Sequence, residues 1–216
     1  VRRLASEGTR PRLPWSGKLV EFIDDPSPIL PILETLKNDE SGDVRRSVAN
    51  NLNDISKDHP EVVLEIAQRW FGKTKETDAL IKHALRTLLK QGNKRALHLF
   101  GYSDADDVLV TDLVITPEKI RIGEQAQFCF KLFIKGYGQK KIRLEYAISF
   151  VKANGSSTKK VFQLSENIRM CGKQMEILKK QWFKNLTTRK HYVGKHLIEI
   201  IVNGEFKAAV VFELVL

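Results

Sequence analysis

Apolar side chains recur at helical spacing through the first hundred residues of the chain. Val44, Val48, Leu52 and Ile55 form one apolar stripe, and residues 81–89 carry a second. Side chains three or four positions apart lie on the same face of a helix, so each stripe indicates a helix with one buried face. The pattern predicts helices over residues 25–39, 41–60, 61–72 and 79–92.

The period of the pattern changes after the acidic stretch at residues 103–107. Apolar and polar side chains then alternate, and β-branched and aromatic residues become common, which is typical of strands. Asn203 and Gly204 form the strongest signal for a two-residue hairpin, and Tyr192 precedes the penultimate apolar run. These features favour an immunoglobulin-like sandwich. Seven strands are predicted near residues 108–115, 125–135, 142–152, 158–165, 174–184, 195–202 and 205–214.

The helical half repeats one phrase three times. Three segments align without gaps, at offsets of 43 and 37 residues: VRRLASEG at 1–8, VRRSVANN at 44–51 and IKHALRTL at 81–88. A period of about 40 residues, with two helices in each repeat, is typical of HEAT-type solenoids. The sequence therefore predicts a HEAT-like helical-repeat solenoid over residues 1–102, followed by an immunoglobulin-like β-sandwich over residues 103–216. Since the chain starts without Met, inside the second helix of a repeat, we expect the solenoid to be N-terminally truncated.

Basic residues outnumber acidic ones, with 36 Lys and Arg against 26 Asp and Glu, for a net charge of +10. Residues 101–216 contribute most of the excess, with 19 basic and 12 acidic side chains. This balance favours a polyanionic partner such as nucleic acid, and a solubilising surface would give the same composition. No apolar run reaches the roughly 18 residues of a membrane span, and no signal-peptide pattern is present. The cytosol is the expected compartment.

Several classes of chemistry lack their motifs in this sequence. There is no glycine-rich phosphate loop, no metal-binding cluster of Cys and His, and no nucleophile with a base at a recognisable spacing. We therefore expect no cofactor and no metal. Cys129 lies in the strand-like run at 128–134 and is expected to be a small buried thiol. A disulfide between Cys129 and Cys171 stays open, although a reducing compartment argues against it.

A polar face of the repeated helices carries the candidate chemistry. Carrying this face across the repeats by the two offsets gives three rows: Arg3, Arg46 and His83; Glu7, Asn50 and Thr87; Pro11, Asp54 and Gln91. Further basic side chains lie beside the first row, namely Arg45, Lys82, Arg86 and Lys90. A basic row beside carboxylates can hold a phosphate backbone and place negative charge near a cationic centre. The alternative is a wet polar surface on which Asp54 pairs with Lys57 or with a neighbouring arginine.

Trp15 lies in the cationic, proline-broken loop TRPRLPWSG at 9–17. Aromatic faces among basic residues stack on bases and attract cations, so Trp15 is a candidate substrate contact. An aromatic side chain that fills the gap between two repeats is the alternative. Trp70 ends an apolar helix and is expected in the core.

Four segments together resemble the AlkC branch of the HEAT-like-repeat DNA alkylation-repair glycosylases, which are related to AlkD. These segments are VRRLASEGTRPRLPW, DPSPILPILETLKND, VRRSVANNLNDISKDHP and IKHALRTLLKQG. The resemblance covers residues 1–102 densely. It extends to the C-terminal half because members of this branch can carry an immunoglobulin-like domain there.

The resemblance implies a monofunctional DNA N-glycosylase that hydrolyses the bond between deoxyribose and a cationic alkylated base such as N3-methyladenine. It implies a catalytic role for Asp54, which would stabilise the oxocarbenium-like sugar and orient water, with Glu7 and Trp15 in support. We add Asn50 as a substrate contact. The expected partner is double-stranded DNA containing alkylated bases, bound by a monomer without an obligate protein partner. The expected DNA-binding residues are Arg3, Arg45, Arg46, His83, Arg86 and Lys90.

Two other functions fit the same sequence. One is a non-catalytic scaffold, since helical solenoids and immunoglobulin-like sandwiches both commonly bind proteins. The other is a protein that recognises alkylated DNA without cleaving it. In the β half, basic loops at 135–143, 152–160 and 187–196 are expected to close on the DNA from the other side. Ordinary solvated hairpin tips would have the same composition.

Overall fold

The computed structural model describes residues 1–187 and 190–216 of the chain. The chain divides into two compact units, Val1–Leu99 and Phe100–Leu216. The first unit is helical and the second consists of strands. The division lies close to the change from helical to alternating pattern in the sequence. Among the described residues, no helix combines the length and the apolar composition that a membrane-spanning segment requires.

Eight α-helices and one 3-10 turn form the helical unit. The helices are α1 Arg2–Glu7, α2 Val20–Asp24, α3 Leu30–Leu36, α4 Gly42–Ile55, α5 Pro60–Trp70, α6 Lys75–Ala84, α7 Arg86–Lys90 and α8 Lys94–Leu99, and the 3-10 turn is Ser27–Ile29. The three copies of the repeated phrase fall on α1, on α4 and across α6 and α7. Helix α4 contacts both α1 and α6, so these helices are neighbours in the helical unit. The polar rows expected from the sequence therefore belong to neighbouring helices.

The helix predicted over residues 79–92 is two helices, α6 and α7, which meet at Leu85. The physical reason is a side chain of α4. In a continuous helix the Thr87 amide would donate to the His83 carbonyl, but here it donates to Asn53 Oδ1 at 3.3 Å. The His83 carbonyl accepts instead from Arg86 Nη1, at 2.6 Å. Asn53, buried on α4, thus interrupts the helix and fixes it to its neighbour.

Two sheets face each other in the second unit. Its strands are β1 Val108–Thr116, β2 Lys119–Arg121, β3 Gln125–Ile134, β4 Gln139–Val151, β5 Ser157–Met170, β6 Gln174–Trp182, β7 Gly194–Val202 and β8 Glu205–Val215. One sheet has the order β1-β3-β6 and the other the order β2-β8-β7-β4-β5. All pairs are antiparallel except β2 with β8. The sequence pattern does not predict β2, because a three-residue strand is too short to show an alternation.

The inward face of β3 shows how the alternating pattern builds the core of the sandwich. Phe128, Phe130, Leu132 and Ile134 are each no more than 1% exposed and point between the sheets. Cys129, between two of them, therefore points outward and is half-buried. The expectation of a buried thiol was wrong, because the flanking phenylalanines take the core positions. Neither cysteine forms a disulfide.

The predicted hairpin at Asn203 and Gly204 joins β7 to β8. Both residues have positive φ angles, +46° and +80°, as a two-residue turn of this kind requires. The Asn203 side chain makes further hydrogen bonds, since Oδ1 accepts from the Arg143 amide at 2.8 Å and Nδ2 donates to the Ser103 carbonyl at 2.8 Å. The turn residue thereby fixes β4 and the segment before β1 to the same end of the sheet.

His196, buried in β7, should make the stability of this unit depend on pH. Its Nδ1 accepts from the Val151 amide at 3.3 Å, and its Nε2 lies 3.0 Å from the Tyr192 carbonyl. Burial lowers the pKa of His196, so the folded protein resists protonation more than the unfolded chain does. Its stabilising contribution is therefore present above pH about 6.5 and is lost as the pH falls towards the folded value, by at most about 1.4 kcal/mol per pH unit.

The measurement is urea unfolding at pH 8 and at pH 5.5, for the wild type and for the non-titrating His196→Gln variant. We expect the variant to be less stable at pH 8 and to lose less stability between the two pH values than the wild type. The difference between the two proteins isolates His196, because other titrating groups are common to both. Equal decreases in the two proteins would show that His196 does not control this dependence.

Candidate functional site

Glu7 and Asp54, the two candidate carboxylates, lie near the ends of neighbouring helices. Glu7 is the last residue of α1, and Asp54 is in the last turn of α4. One guanidinium joins them: Arg10 Nη1 contacts Glu7 Oε1 at 2.6 Å, and Arg10 Nη2 contacts Asp54 Oδ2 at 2.8 Å. The structure thus brings together the two residues that the sequence placed in adjacent rows, through an arginine that the rows did not include.

Asp54 is buried and fully paired. Its side chain is 3% exposed. Oδ2 accepts from Arg10 Nε at 2.9 Å and lies 2.8 Å from Arg10 Nη2, and Oδ1 accepts from Lys57 Nζ at 2.8 Å. Both pairings that the sequence offered as the alternative to catalysis, with Lys57 and with a neighbouring arginine, are therefore present. The two cations differ in exposure: the Lys57 side chain is 39% exposed, whereas the Arg10 side chain is 8% exposed.

Glu7 is the more accessible carboxylate, with its side chain 25% exposed. Its Oε2 accepts from Ser47 Oγ at 2.7 Å, while Oε1 holds Arg10. Burial alone would raise the pKa of Glu7, but the hydrogen bonds from Ser47 and Arg10 and the charges of Arg10 and Arg3 outweigh it and lower the pKa. Glu7 is therefore ionised at neutral pH and cannot act there as a proton donor.

Asn50 holds two basic side chains of the next helices. Its Oδ1 lies 3.0 Å from His83 Nε2 and accepts from Arg86 Nη2 at 3.2 Å. Because a carbonyl oxygen only accepts, His83 carries its proton on Nε2. Burial, followed by the nearby charges of Arg86 and Arg46, lowers the pKa of His83. His83 is thus neutral at pH 7 in the free protein, and the expected basic row carries less charge than its residue types indicate.

A cleft of about 450 Å³ lies between α4 and α6. Arg45, Arg46, Lys75 and His83 line it, with Glu76 as its acidic member. Arg45 is partly committed within the protein, because its Nη1 donates to the carbonyls of Asp39 and Glu40, at 2.5 and 3.0 Å. Arg46 is exposed. Outside the cleft, Arg3 and Lys90 are also exposed on this unit.

Trp15 is fully exposed and has a positive φ angle of +64°. A bulky side chain in the left-handed region is uncommon, so this loop presents the indole in a strained backbone conformation. Trp15 fills no gap between helices here. Trp70, by contrast, is 3% exposed and donates from Nε1 to Glu34 Oε2 at 2.8 Å, in agreement with the expectation of a core residue.

Comparison with known proteins identifies the family. The sequence model of the family described as "Uncharacterised protein YhaZ, C-terminal Ig-like domain" matches residues 109–216, half of the chain. The chain belongs to the YhaZ family. The protein YhaZ of Bacillus subtilis (strain 168) is 52% identical over 215 residues, which are 99% of this chain and 59% of that protein.

A solved structure extends the similarity to the helical unit. It is the alkylpurine DNA glycosylase AlkC of Pseudomonas fluorescens, bound to DNA containing an abasic site analog. The TM-score is 0.95 and the identity 45%, over all of this chain and 60% of the AlkC chain. The resemblance to the AlkC branch drawn from the sequence is therefore confirmed. The chain spans about 60% of the length of these two relatives.

Three side chains that hold Glu7 or its helix in place lie outside the rows that the sequence defines. Arg10 and Ser47 contact Glu7 directly, and Asn51 Nδ2 donates to the Ser6 carbonyl at 2.8 Å. Arg10 lies after the end of α1, so the helical spacing that defines the rows does not extend to it. Ser47 and Asn51 lie one turn apart on the buried side of α4, away from the polar face that gives the rows. The usable signal was the spacing of Arg10 three residues after Glu7, which allows an ion pair across the end of a helix.

The immunoglobulin-like unit of this YhaZ-family chain has a basic cleft of about 360 Å³. Lys152, Lys160 and Lys190 line it beside Phe150 and Tyr192. These lysines belong to the basic segments at 152–160 and 187–196 that the sequence singled out, although Lys160 lies in β5 rather than in a loop. Thr188 and Arg189 of the second segment lie outside the described residues. Over residues 1–187 and 190–216, no group of three or more His, Cys, Asp or Glu side chains could hold a metal ion.

Proposed function

We propose that this chain is the carboxylate-bearing part of a DNA glycosylase that removes cationic alkylated bases, such as N3-methyladenine, from double-stranded DNA. One observation carries the proposal. Glu7 and Asp54 are held together by a buried arginine on a basic helical unit, in a chain that aligns along its whole length with a DNA-bound alkylpurine glycosylase. We also propose that α1, α4 and the α6–α7 pair are successive second helices of a HEAT-like solenoid, since they carry the three copies of the repeated phrase.

The charge state of the site matches a leaving group that is already positive. A neutral base needs a proton from a general acid before it leaves, and an ionised Glu7 has none to give. A cationic alkylated base needs no such proton. The C1′–N bond breaks, the bonding electrons neutralise the departing base, and a water oxygen bonds to C1′ while its proton is released. The requirement on the protein is negative charge near the oxocarbenium-like sugar.

Glu7 and Asp54 supply that charge in different ways. Glu7 is partly exposed, so it can approach the sugar or the attacking water directly. Asp54 is buried, and it becomes accessible at Oδ1 when the exposed Lys57 turns into solvent, while Arg10 continues to balance the carboxylate charge at Oδ2. Trp15 offers an exposed aromatic face to a cationic base. Asn50 acts through the two basic side chains that it holds, His83 and Arg86.

The DNA backbone would lie along the basic side of the helical unit. We assign phosphate contacts to the exposed cations first, because their charges are available, and to Arg45 and His83 as members of the cleft between α4 and α6. A phosphate next to His83 would favour its protonation and so offset the effect of burial. The proposed contact residues are Arg3, Arg45, Arg46, His83, Arg86 and Lys90.

The test is an assay of free base. The full-length protein is incubated with methylated duplex DNA, and the released alkylated bases are separated and measured, together with DNA binding and strand integrity. A monofunctional glycosylase releases the base and leaves an abasic strand that breaks only after alkaline treatment. Absence of base release above the spontaneous rate would refute the glycosylase proposal.

Recognition of alkylated DNA without cleavage is the second candidate, and the full pairing of Asp54 favours it. A carboxylate with both oxygens engaged by cations is what a purely structural ion cluster would show. The same assay separates the two functions. Tight binding to methylated DNA with no release would support recognition alone, whereas release at a rate above the spontaneous one would exclude it.

The basic cleft of the immunoglobulin-like unit leads to a prediction about affinity. If Lys152, Lys160 and Lys190 bind DNA phosphates, replacing all three with Gln weakens binding and flattens its dependence on salt. The slope of log K against log salt falls by about 0.9 for every phosphate that is no longer neutralised. The measurement is a salt titration of binding to undamaged duplex. An unchanged slope and affinity would show that these lysines are solvated hairpin tips.

A further inference from the structure

Arg10 is the most completely engaged charged side chain of the helical unit's carboxylate site. Its guanidinium donates two hydrogen bonds, from Nε to Asp54 Oδ2 and from Nη1 to Glu7 Oε1, and its Nη2 forms an ion pair with Asp54 Oδ2 at 2.8 Å. The side chain is 8% exposed, so these bonds are largely withdrawn from competition with water. We propose that Arg10 is a positioning residue, which sets the distance and orientation between Glu7 and Asp54 that catalysis requires. This inference rests on the proposed function.

The segment before Arg10 is itself fixed to α4. Thr9 Oγ1 donates to the Ala5 carbonyl at 2.9 Å and accepts from Asn51 Nδ2 at 3.2 Å, while Asn51 Nδ2 also donates to the Ser6 carbonyl. Asn51 is completely buried. The backbone that carries Arg10 therefore cannot shift without breaking buried hydrogen bonds between α1 and α4. The Arg10 side chain is therefore fixed through its backbone as well as through its guanidinium.

The shape of the guanidinium explains why arginine occupies this position. It is planar and carries donors along two edges, so one side chain can engage two separate carboxylates at fixed angles. A lysine has one compact charge and cannot hold Glu7 and Asp54 in the same geometry. The charge also matters, because two carboxylates brought close together repel each other and would favour protonation of one. The positive charge of Arg10 between them offsets that repulsion.

The role of Arg10 in ionisation can be measured without DNA. The hydrogen bonds from Ser47 and Arg10, together with the charge of Arg10, keep the pKa of Glu7 low against the effect of burial. In the full-length Arg10→Gln variant we expect Glu7 to titrate at higher pH than in the wild type, as followed by carboxyl carbon NMR. In Arg10→Lys we expect a smaller rise. Identical titration of Glu7 in all three proteins would overturn the inference.

The second readout is catalysis. For Arg10→Lys we expect kcat for base release to fall by about 10²-fold with KM nearly unchanged, because misplacement of reacting groups by about 1 Å costs that much. The acid limb of the pH profile moves to higher pH in Arg10→Gln, since Glu7 takes up a proton more readily. If Arg10→Lys kept the wild-type kcat, the inference would be overturned, because a positive charge would then suffice without the planar geometry of the guanidinium.

Arg12→Lys is the matched control. Arg12 lies two residues further along the same loop and makes a similar two-pronged contact, with Nε and Nη2 on the Asp58 carboxylate at 3.2 and 2.7 Å. We expect its kcat, KM and pH profile to equal those of the wild type. An equal decrease of kcat in Arg12→Lys and Arg10→Lys would overturn the inference and show that any arginine of this loop matters only for folding.

The two proposals fail in different experiments. If the wild type releases no base but Glu7 titrates higher without Arg10, the glycosylase proposal fails and the geometric role of Arg10 at the two carboxylates stands. If the wild type releases base and the Arg10 variants match it in kcat and in titration, the glycosylase proposal stands and the role of Arg10 fails. Thermal unfolding of each variant confirms that it is folded under the assay conditions.

Discussion

Asp54→Asn should reduce the rate of base release from methylated DNA by about 10²- to 10³-fold, the usual cost of removing one fixed electrostatic interaction with a developing charge. The amide is nearly isosteric with the carboxylate and can still accept from Arg10, so the fold should persist. The variant lacks the negative charge that we propose acts on the oxocarbenium-like sugar, and its amide nitrogen replaces one of the two accepting oxygens. DNA affinity should change little, because Asp54 is buried and meets no phosphate. The measurement is single-turnover release of the alkylated base by the full-length protein.

Asp58→Asn is the control for this prediction. Asp58 lies four residues further on and is also paired with an arginine, Arg12, but its side chain is 27% exposed and its ion pair does not include Glu7 or Arg10. We expect Asp58→Asn to release base at the wild-type rate. Equal release by Asp54→Asn and the wild type would contradict the catalytic role of Asp54, and the two arginine-paired aspartates would then be equivalent structural residues.

Neutralising three cations of the helical unit should have the largest effect on binding. We expect the combined change Arg46→Gln, Arg86→Gln and Lys90→Gln to weaken binding to undamaged duplex strongly at physiological salt. The slope of log K against log salt should fall by about 0.9 for every phosphate that these side chains no longer neutralise. Base release at saturating protein should fall less than affinity does, because the three side chains act on the backbone rather than on the sugar. The measurement is a salt titration of affinity.

A second triple variant holds the change in net charge constant. Arg69 lies in α5, Lys73 in the loop after it and Arg95 in α8, and none of them is among the residues assigned to the DNA backbone. Their replacement with Gln alters the protein's overall charge as much as the first set does. We expect a much smaller change in slope. Equal effects of the two triple variants would mean that affinity follows net charge, and that no defined basic face exists.

Much of the architecture was predictable, because long elements carry strong patterns. The change from helical to alternating spacing near residue 104 separated helices from strands, and the Asn203-Gly204 hairpin joins β7 and β8. The break at Leu85 was not predictable, since it depends on Asn53 reaching across from another helix. The outward position of Cys129 depends on which face of β3 meets the second sheet. Such features are decided by tertiary contacts rather than by local pattern.

The candidate site was predictable as a set of residue types and not as a network. Fixed offsets placed Glu7 and Asp54 in adjacent rows, and the two residues come together because α1 and α4 contact each other. They could not find Arg10, which lies on the loop after α1 where the helical period ends. They also overstated the charge of the first row, since burial and two neighbouring arginines lower the pKa of His83. Burial and pairing become visible only when the helices are packed together.

A direct comparison of leaving groups tests the central claim, that fixed carboxylates here promote departure of a base that is already positive. The full-length protein would be incubated with two duplexes of the same sequence, one containing a cationic N-alkylated purine and the other a neutral modified purine. We expect release of the cationic base well above its spontaneous rate and no release of the neutral one. Equal release of both bases, or release of neither, would contradict this role of the carboxylates.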